Sequence, residues 1–117
     1  MNRLMALQIT LGITGVLFLA LIYPLEMMFR PEPALAMMLS LYVTLGVFLL
    51  LAIPNPSAHR SLIAFTAWSS FAHAAVMGTQ AARHMIEHSE MIGVYVLLAI
   101  GIALLALAPT KPSVRPA

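Results

Sequence analysis

The sequence predicts an all-α fold, an integral membrane antiparallel four-helix bundle. Of its 117 residues, 62% are hydrophobic and only 9% are charged, whereas soluble domains carry about 25% charged residues. The apolar residues form four long runs, each close to the roughly 20 residues that a helix needs to cross a bilayer core. These runs lack the alternation of barrel strands, so helices must satisfy the backbone within hydrocarbon. We therefore expect a single four-span domain over residues 1–117.

The first two spans are expected over residues 4–23 and 34–53. The first run follows a positively charged start. It is longer than the roughly 7–15 apolar residues of a signal peptide, and no small-x-small cleavage pattern follows it, so we interpret it as a retained helix. Residues 24–33 contain three prolines and are expected to form a turn between the two spans.

The third and fourth spans are expected over residues 59–84 and 91–108. Asn55 followed by Pro56 is typical of an N-cap and a first helical position, so the third helix is expected to begin there. Its helical character is expected to continue to His88, which would make it about 48 Å long. The last two turns would then project beyond the hydrocarbon.

The charged residues predict the orientation of the chain. Four cations fall at the ends that share one side: Arg3, Arg60, Lys111 and Arg115. Every acid falls on the other side, beside Arg30 and Arg83: Glu26, Glu32, Glu87 and Glu90. Because positive loops remain in the cytoplasm, we expect a multi-pass protein with its N-terminus and C-terminus both cytoplasmic. The Lys and Arg residues are scattered, so membrane lipid and not nucleic acid is the expected partner.

The third span has a polar face, which we call the polar stripe. All four histidines and the single tryptophan lie within residues 55–90. Polar side chains recur there at steps of three and four, which places them on one helix face. The polar stripe comprises Thr66, Ser69 or Ser70, His73, Met77, Gln80, His84 and Glu87, and the opposite face comprises Ala64, Trp68, Phe71, Ala75, Gly78 and Ala82.

His73 lies near the middle of the third span, where a polar side chain needs a partner. Residues at a similar depth on the first two spans are Thr14, Tyr42 and Thr44. Three readings stay open. A neutral histidine bonded to one of these residues would hold the helices together. Alternatively, His73 serves as a ligand or proton-relay residue together with these neighbours and Gln80, or it contacts a second copy of the chain.

A low-specificity metal motif lies at the outer end of the third span. His84, Glu87 and His88 match H-x-x-E-H, in which two histidines one helical turn apart bind zinc and the glutamate is the base. Glu90 and Glu26 are expected at the same depth to complete such a site. A solvated helix end with mixed charge explains the same residues without a metal, and no other part of the chain resembles a protease domain.

No cofactor is expected, with a divalent metal as the open alternative. The chain has no cysteine, so thiolate sites and disulfides are excluded. Two axial haem histidines normally come from two helices, whereas all histidines here lie on or beside the third span, so haem would require a dimer. The small multidrug transporters need a carboxylate within the first span, and this one has none.

Residues 55–77, NPSAHRSLIAFTAWSSFAHAAVM, together with the four-span layout, resemble a family of small bacterial inner-membrane proteins of unknown function. This resemblance implies the four-helix fold and a bacterial inner-membrane location. It supplies no catalytic or binding residues.

Two functions agree with the sequence. The first is a noncatalytic membrane protein that self-associates or serves as an accessory subunit of a membrane complex, with the polar stripe holding helices in register. The second is a small transporter or metal-dependent membrane enzyme that uses His73 and the outer His84, Glu87 and His88 cluster. We favour the first.

Overall fold

The computed structural model describes residues 2–109, and the regular elements in this range are all helices. Two short 3₁₀ turns, Pro56–His59 and His88–Glu90, precede the last two α-helices. The α-helices are α1 (Arg3–Ala20), α2 (Ile22–Met28), α3 (Pro33–Ala52), α4 (Arg60–Ala82) and α5 (Met91–Leu107). Because α2 follows α1 after a single residue, the chain makes four helical passes. The predicted all-helical class with four helices is confirmed.

The first pass does not end at Pro24 as predicted. At Leu21 the backbone N–H bonds to the carbonyl of Phe18, three residues back, at 3.1 Å. Helix α2 begins at the next residue, so Pro24 lies in its first turn. A proline is tolerated there because N–H groups of a first turn have no acceptor within the helix. Glu26, expected in a turn, is therefore helical.

Helix α4 begins later and ends earlier than predicted. Asn55 precedes a 3₁₀ turn without a capping bond from its side chain, and α4 itself starts at Arg60. After Ala82 the chain leaves the helix, and His84 has a φ of 58°. The N–H groups of His84 and Met85 bond to Ala81 and Gln80 carbonyls at 3.1 and 2.8 Å. This is a Schellman motif with histidine in the usual glycine position, so the predicted continuation to His88 is wrong.

The helices form two antiparallel pairs. Helix α1 packs along α3, and α4 packs along α5. The pairs meet mainly through α1 and α5, and to a lesser extent through α3 and α4. Hydrogen bonds join helix ends at one end of the bundle: Arg3 Nη2 donates to the Ala108 carbonyl (2.7 Å) and Arg60 Nε to the Pro109 carbonyl (3.2 Å). We call this the cationic end and the opposite one the acidic end.

Glycines allow the closest approaches within each pair. A Cβ on Gly46 would lie 2.8 Å from the carbonyl oxygen of Gly15, so α1 and α3 cross backbone to backbone. On α5, a Cβ at Gly101 would lie 2.5 Å from the Phe71 ring. Phe71 lies on the face opposite the polar stripe, and the absence of a side chain at Gly101 lets its ring pack on α5. Trp68 is exposed as expected.

Packing is tightest in the half of the bundle nearer the cationic end. The largest fully buried side chains lie in that half or at mid-helix: Leu7, Leu11, Leu49, Ile63, Leu104, Thr14, Thr66 and Ser70. Nearer the acidic end, side chains from α1, α3, α4 and α5 surround a groove instead.

Within residues 2–109, two helical segments are long and apolar enough to cross a membrane, Arg3–Met28 and Pro33–Ala52. Only 28% and 22% of their apolar windows are buried in the bundle. Met91–Leu107 is also apolar but shorter.

Candidate functional site

Most hydroxyl side chains on the helices bond to their own helix. The acceptor is a backbone carbonyl four residues back for Thr10, Thr44, Thr66, Ser70 and Thr79. Such bonds satisfy a hydroxyl without a second helix. Thr44, a predicted partner of His73, is exposed and donates to the Ser40 carbonyl at 3.0 Å. The hydroxyls of the polar stripe, on Thr66, Ser69 and Ser70, are therefore satisfied within α4.

The exception is a contact between α3 and α4. The Tyr42 hydroxyl lies 2.5 Å from Nδ1 of His73. Both side chains are half-buried, and they bridge two helices that are in contact at few other residues. Of the three residues predicted as partners, Tyr42 is the one that His73 contacts. Thr14 is buried in α1 and forms no hydrogen bond to His73. A ligand or relay role for these residues stays a prediction.

Aromatic packing fixes the ring of Tyr42. Phe18 on α1 meets it edge-on, with ring centroids 5.1 Å apart. An edge-to-face arrangement is the preferred geometry of an aromatic pair. Phe18 thus packs on the Tyr42 ring, whose hydroxyl reaches His73 on α4. Phe18 was not among the predicted site residues, and an isolated phenylalanine within an apolar run gives no sequence signal of such a role.

The contact with Tyr42 affects which hydrogen bonds the other ring nitrogen of His73 can form. A neutral imidazole accepts at one ring nitrogen and donates from the other. When Nδ1 accepts from Tyr42, the ring proton is on Nε2, and this atom has no hydrogen-bond partner among residues 2–109. In this tautomer His73 presents one N–H donor, whereas in the other tautomer Nδ1 donates to the Tyr42 oxygen and Nε2 accepts.

A groove of about 320 Å³ lies beside His73. It reaches the bundle surface, because Leu17 and Val96 on its wall are both more than 40% exposed. Apart from Tyr42 and His73 its walls are apolar, formed by Leu17, Phe18, Leu21, Met38, Met77, Gly93, Val96, Leu97 and Ile100. A second groove, of about 380 Å³, lies on the other side of Tyr42 between Phe48 on α3 and Phe65 on α4.

Gln80 is not brought to His73. It lies seven residues further along α4, about 10 Å along the axis. Its backbone carbonyl accepts the bond that closes the Schellman motif. Its side chain makes no hydrogen bond within the described residues.

The outer H-x-x-E-H segment lies in a loop and not on a helix. His84 occupies the left-handed position after α4, and the N–H of Glu87 donates to the Glu90 carboxylate at 3.3 Å. The assumed geometry, with two histidines one helical turn apart, is therefore wrong. Within residues 2–109, no group of three or more histidine and acidic residues is arranged to hold a metal. The side chain of His88 lies outside the described residues, Glu26 belongs to α2, and metal binding stays a prediction.

Comparison with known proteins identifies the family. A model of a family of unknown function, DUF6632, matches residues 2–115. The chain belongs to the DUF6632 family. No curated protein and no solved structure matches this DUF6632 protein. The match agrees with the expected kind of family, one without an assigned activity, and it transfers no functional residue to the Tyr42 and His73 site.

Proposed function

We propose that this DUF6632 protein is a noncatalytic, multi-pass protein of the bacterial inner membrane that self-associates or serves as an accessory subunit of a membrane complex. The observation that carries this proposal is the apolar outer surface of the bundle. Leu41, Phe65 and Ile102, on three different helices, are 71%, 63% and 61% exposed. Exposed apolar patches of this extent are rare on soluble monomers, whereas lipid accommodates them.

The limited burial of the two longest apolar segments supports the same proposal. A core helix of a soluble protein is mostly buried, but these segments are 28% and 22% buried. Their side chains therefore need another apolar environment, which a bilayer provides. Helix α3 has 20 residues and a length of about 30 Å, equal to the thickness of a hydrocarbon core.

The state of the polar side chains supports a noncatalytic role. Hydroxyls on the helices bond to carbonyls of their own helices, and Tyr42 and His73 bond to each other. These bonds stabilise the bundle and leave few groups for chemistry. We propose that the pair keeps α3 and α4 in register, because other contacts between these helices are sparse.

Membrane fractionation tests the proposed location. The full chain, expressed in a bacterium, should stay in the inner-membrane fraction after an alkaline carbonate wash, because such washes release only peripheral proteins. A peripheral membrane protein expressed in parallel provides the control. Release of the full chain into the supernatant would exclude an integral membrane location.

Crosslinking in the same membranes tests self-association. We expect a dimer or a larger species at native expression levels. If only monomer is found, self-association is rejected, and the accessory-subunit version predicts that another membrane protein copurifies stoichiometrically.

A further inference from the structure

The groove beside His73 combines apolar walls with one hydrogen-bond donor. Because Nδ1 is engaged by the Tyr42 hydroxyl, the remaining polar atom of the imidazole is Nε2, which has no partner among the described residues. No lysine, arginine, aspartate or glutamate lines this groove. An anionic head group would lose its hydration there without gaining a counter-ion. The groove therefore suits a neutral molecule that carries a hydrogen-bond acceptor.

The depth of His73 in the proposed membrane limits which ligands can reach it. His73 lies 13 residues after the start of α4 and 9 before its end, which corresponds to about 20 Å and about 14 Å along the axis. In the proposed membrane location this is near the bilayer midplane. Ester carbonyls of phospholipids lie in the interfacial region, outside the hydrocarbon. The acceptor must therefore belong to a molecule that dissolves within the membrane interior.

The walls favour a planar ring with an apolar tail. Phe18 and Tyr42 present aromatic surfaces that pack well on a flat ring. A volume of about 320 Å³ is at the lower end of the roughly 300–1,000 Å³ of typical ligand sites. It suits a ring head group and the beginning of a tail. The opening at Leu17 and Val96 would let the rest of the tail extend into lipid.

We propose that this groove binds an isoprenoid quinone, with a ring carbonyl accepting the hydrogen bond from Nε2 of His73. The proposal rests on the membrane location proposed above. In this proposal the Tyr42 hydroxyl donates to Nδ1 and so keeps the ring proton on Nε2, which makes Tyr42 a positioning residue. The step is binding alone and transfers no electrons.

The experiment measures quinone binding to the full chain in nanodiscs. Ether-linked phospholipid is used because it lacks ester carbonyls, and the probe is decylubiquinone. The bound amount above that of empty nanodiscs should saturate near one quinone per chain. His73→Leu should weaken binding at least tenfold. Gln80→Leu, at a position outside the groove, should leave the affinity unchanged.

A second variant separates binding from folding. Gly93 lines the groove, and a Cβ there would be 3.6 Å from the Met77 methyl, an ordinary contact. Gly93→Leu should therefore fold, as checked by its thermal unfolding, yet fill the groove and abolish binding. Absence of saturable binding by the wild type, or equal binding by wild type, His73→Leu and Gly93→Leu, would overturn the proposal.

Repeating the measurement in ester-linked phospholipid tests whether a lipid competes for the groove. If exchange to ester-linked lipid alone shifts the nitrogen resonance of His73 and prevents quinone binding, a lipid carbonyl occupies the groove and the quinone proposal is wrong. A wrong membrane location can be distinguished from a wrong ligand, because a chain that is not integral would not be retained in the carbonate-washed membrane. A chain that is retained but binds no quinone contradicts only the quinone proposal.

Discussion

At the residue scale, the contact between Tyr42 and His73 shows how far a sequence argument can select a partner. A histidine in the middle of a span needs a hydrogen-bond partner, and its depth in the sequence left Thr14, Tyr42 and Thr44 as candidates. Tyr42 and Thr44 are two residues apart and so point about 200° from each other around α3. Only one of them can meet His73. The structure places Tyr42 there and Thr44 on the exposed side, bonded to its own helix.

A double-mutant cycle tests the strength of this contact. Tyr42→Phe removes the hydroxyl but keeps the ring that packs on Phe18, and His73→Leu removes the imidazole. We expect a coupling free energy of about 0.6 kcal/mol, the average for interhelical hydrogen bonds in membranes. The measurement is the free energy of unfolding in detergent. Tyr95→Phe, at an exposed tyrosine on α5, is the control, and a coupling energy of zero would contradict the contact.

At the element scale, apolar runs located the helices well because their signal is summed over many residues. Helix α3 covers Pro33–Ala52 where residues 34–53 were expected, and α5 covers Met91–Leu107 where residues 91–108 were expected. The ends of α1 and α4 were predicted less well. They depend on the backbone conformations of single residues, Leu21 and His84, which no hydrophobic pattern encodes.

The end of α4 predicts whether a substitution at His84 raises or lowers the free energy of unfolding. His84 has a positive φ, which glycine adopts at no steric cost. His84→Gly should therefore raise the free energy of unfolding, by about 0.5–1 kcal/mol. If α4 continued to His88, the same change would place glycine inside a helix and lower stability by about 1 kcal/mol. Thermal unfolding of the wild type and of His84→Gly decides between the two helix ends. His84→Ala is the control, because alanine keeps a Cβ at the position of positive φ.

The crossing of α1 and α3 gives a second element-scale prediction. A Cβ at Gly46 would clash with the Gly15 carbonyl, which is backbone and cannot move aside. Gly46→Ala should destabilise the bundle by about 1–3 kcal/mol, the usual cost of overpacking. Gly78→Ala is the matched control, since a Cβ there meets nothing within 4 Å. Equal effects of the two substitutions on unfolding would mean that α1 and α3 do not cross at Gly46.

At the scale of the whole molecule, the bundle is asymmetric along its axis. The cationic end has tight packing and arginines that bond to the C-terminal carbonyls of α5, where a positive charge also complements the helix dipole. The groove lies toward the acidic end. The sequence predicted the separation of charge, because charges mark helix ends. It did not predict the groove, because a gap depends on how far helices splay, which single-helix periodicity does not encode.

The separation of charge also predicts the orientation in the membrane. Arg3 and Arg60 lie together at the cationic end, so the positive-inside rule places that end in the cytoplasm. The chain has no cysteine, which makes an introduced one the only site of labelling. Ser57 lies in the loop at the cationic end and Ser89 in the loop at the acidic end, and both are exposed. In intact cells with a permeable outer membrane, an impermeant maleimide should label Ser89→Cys at once and Ser57→Cys only after lysis. The reverse pattern would place the cationic end outside, and the groove beside His73 would then open toward the cytoplasmic half of the bilayer.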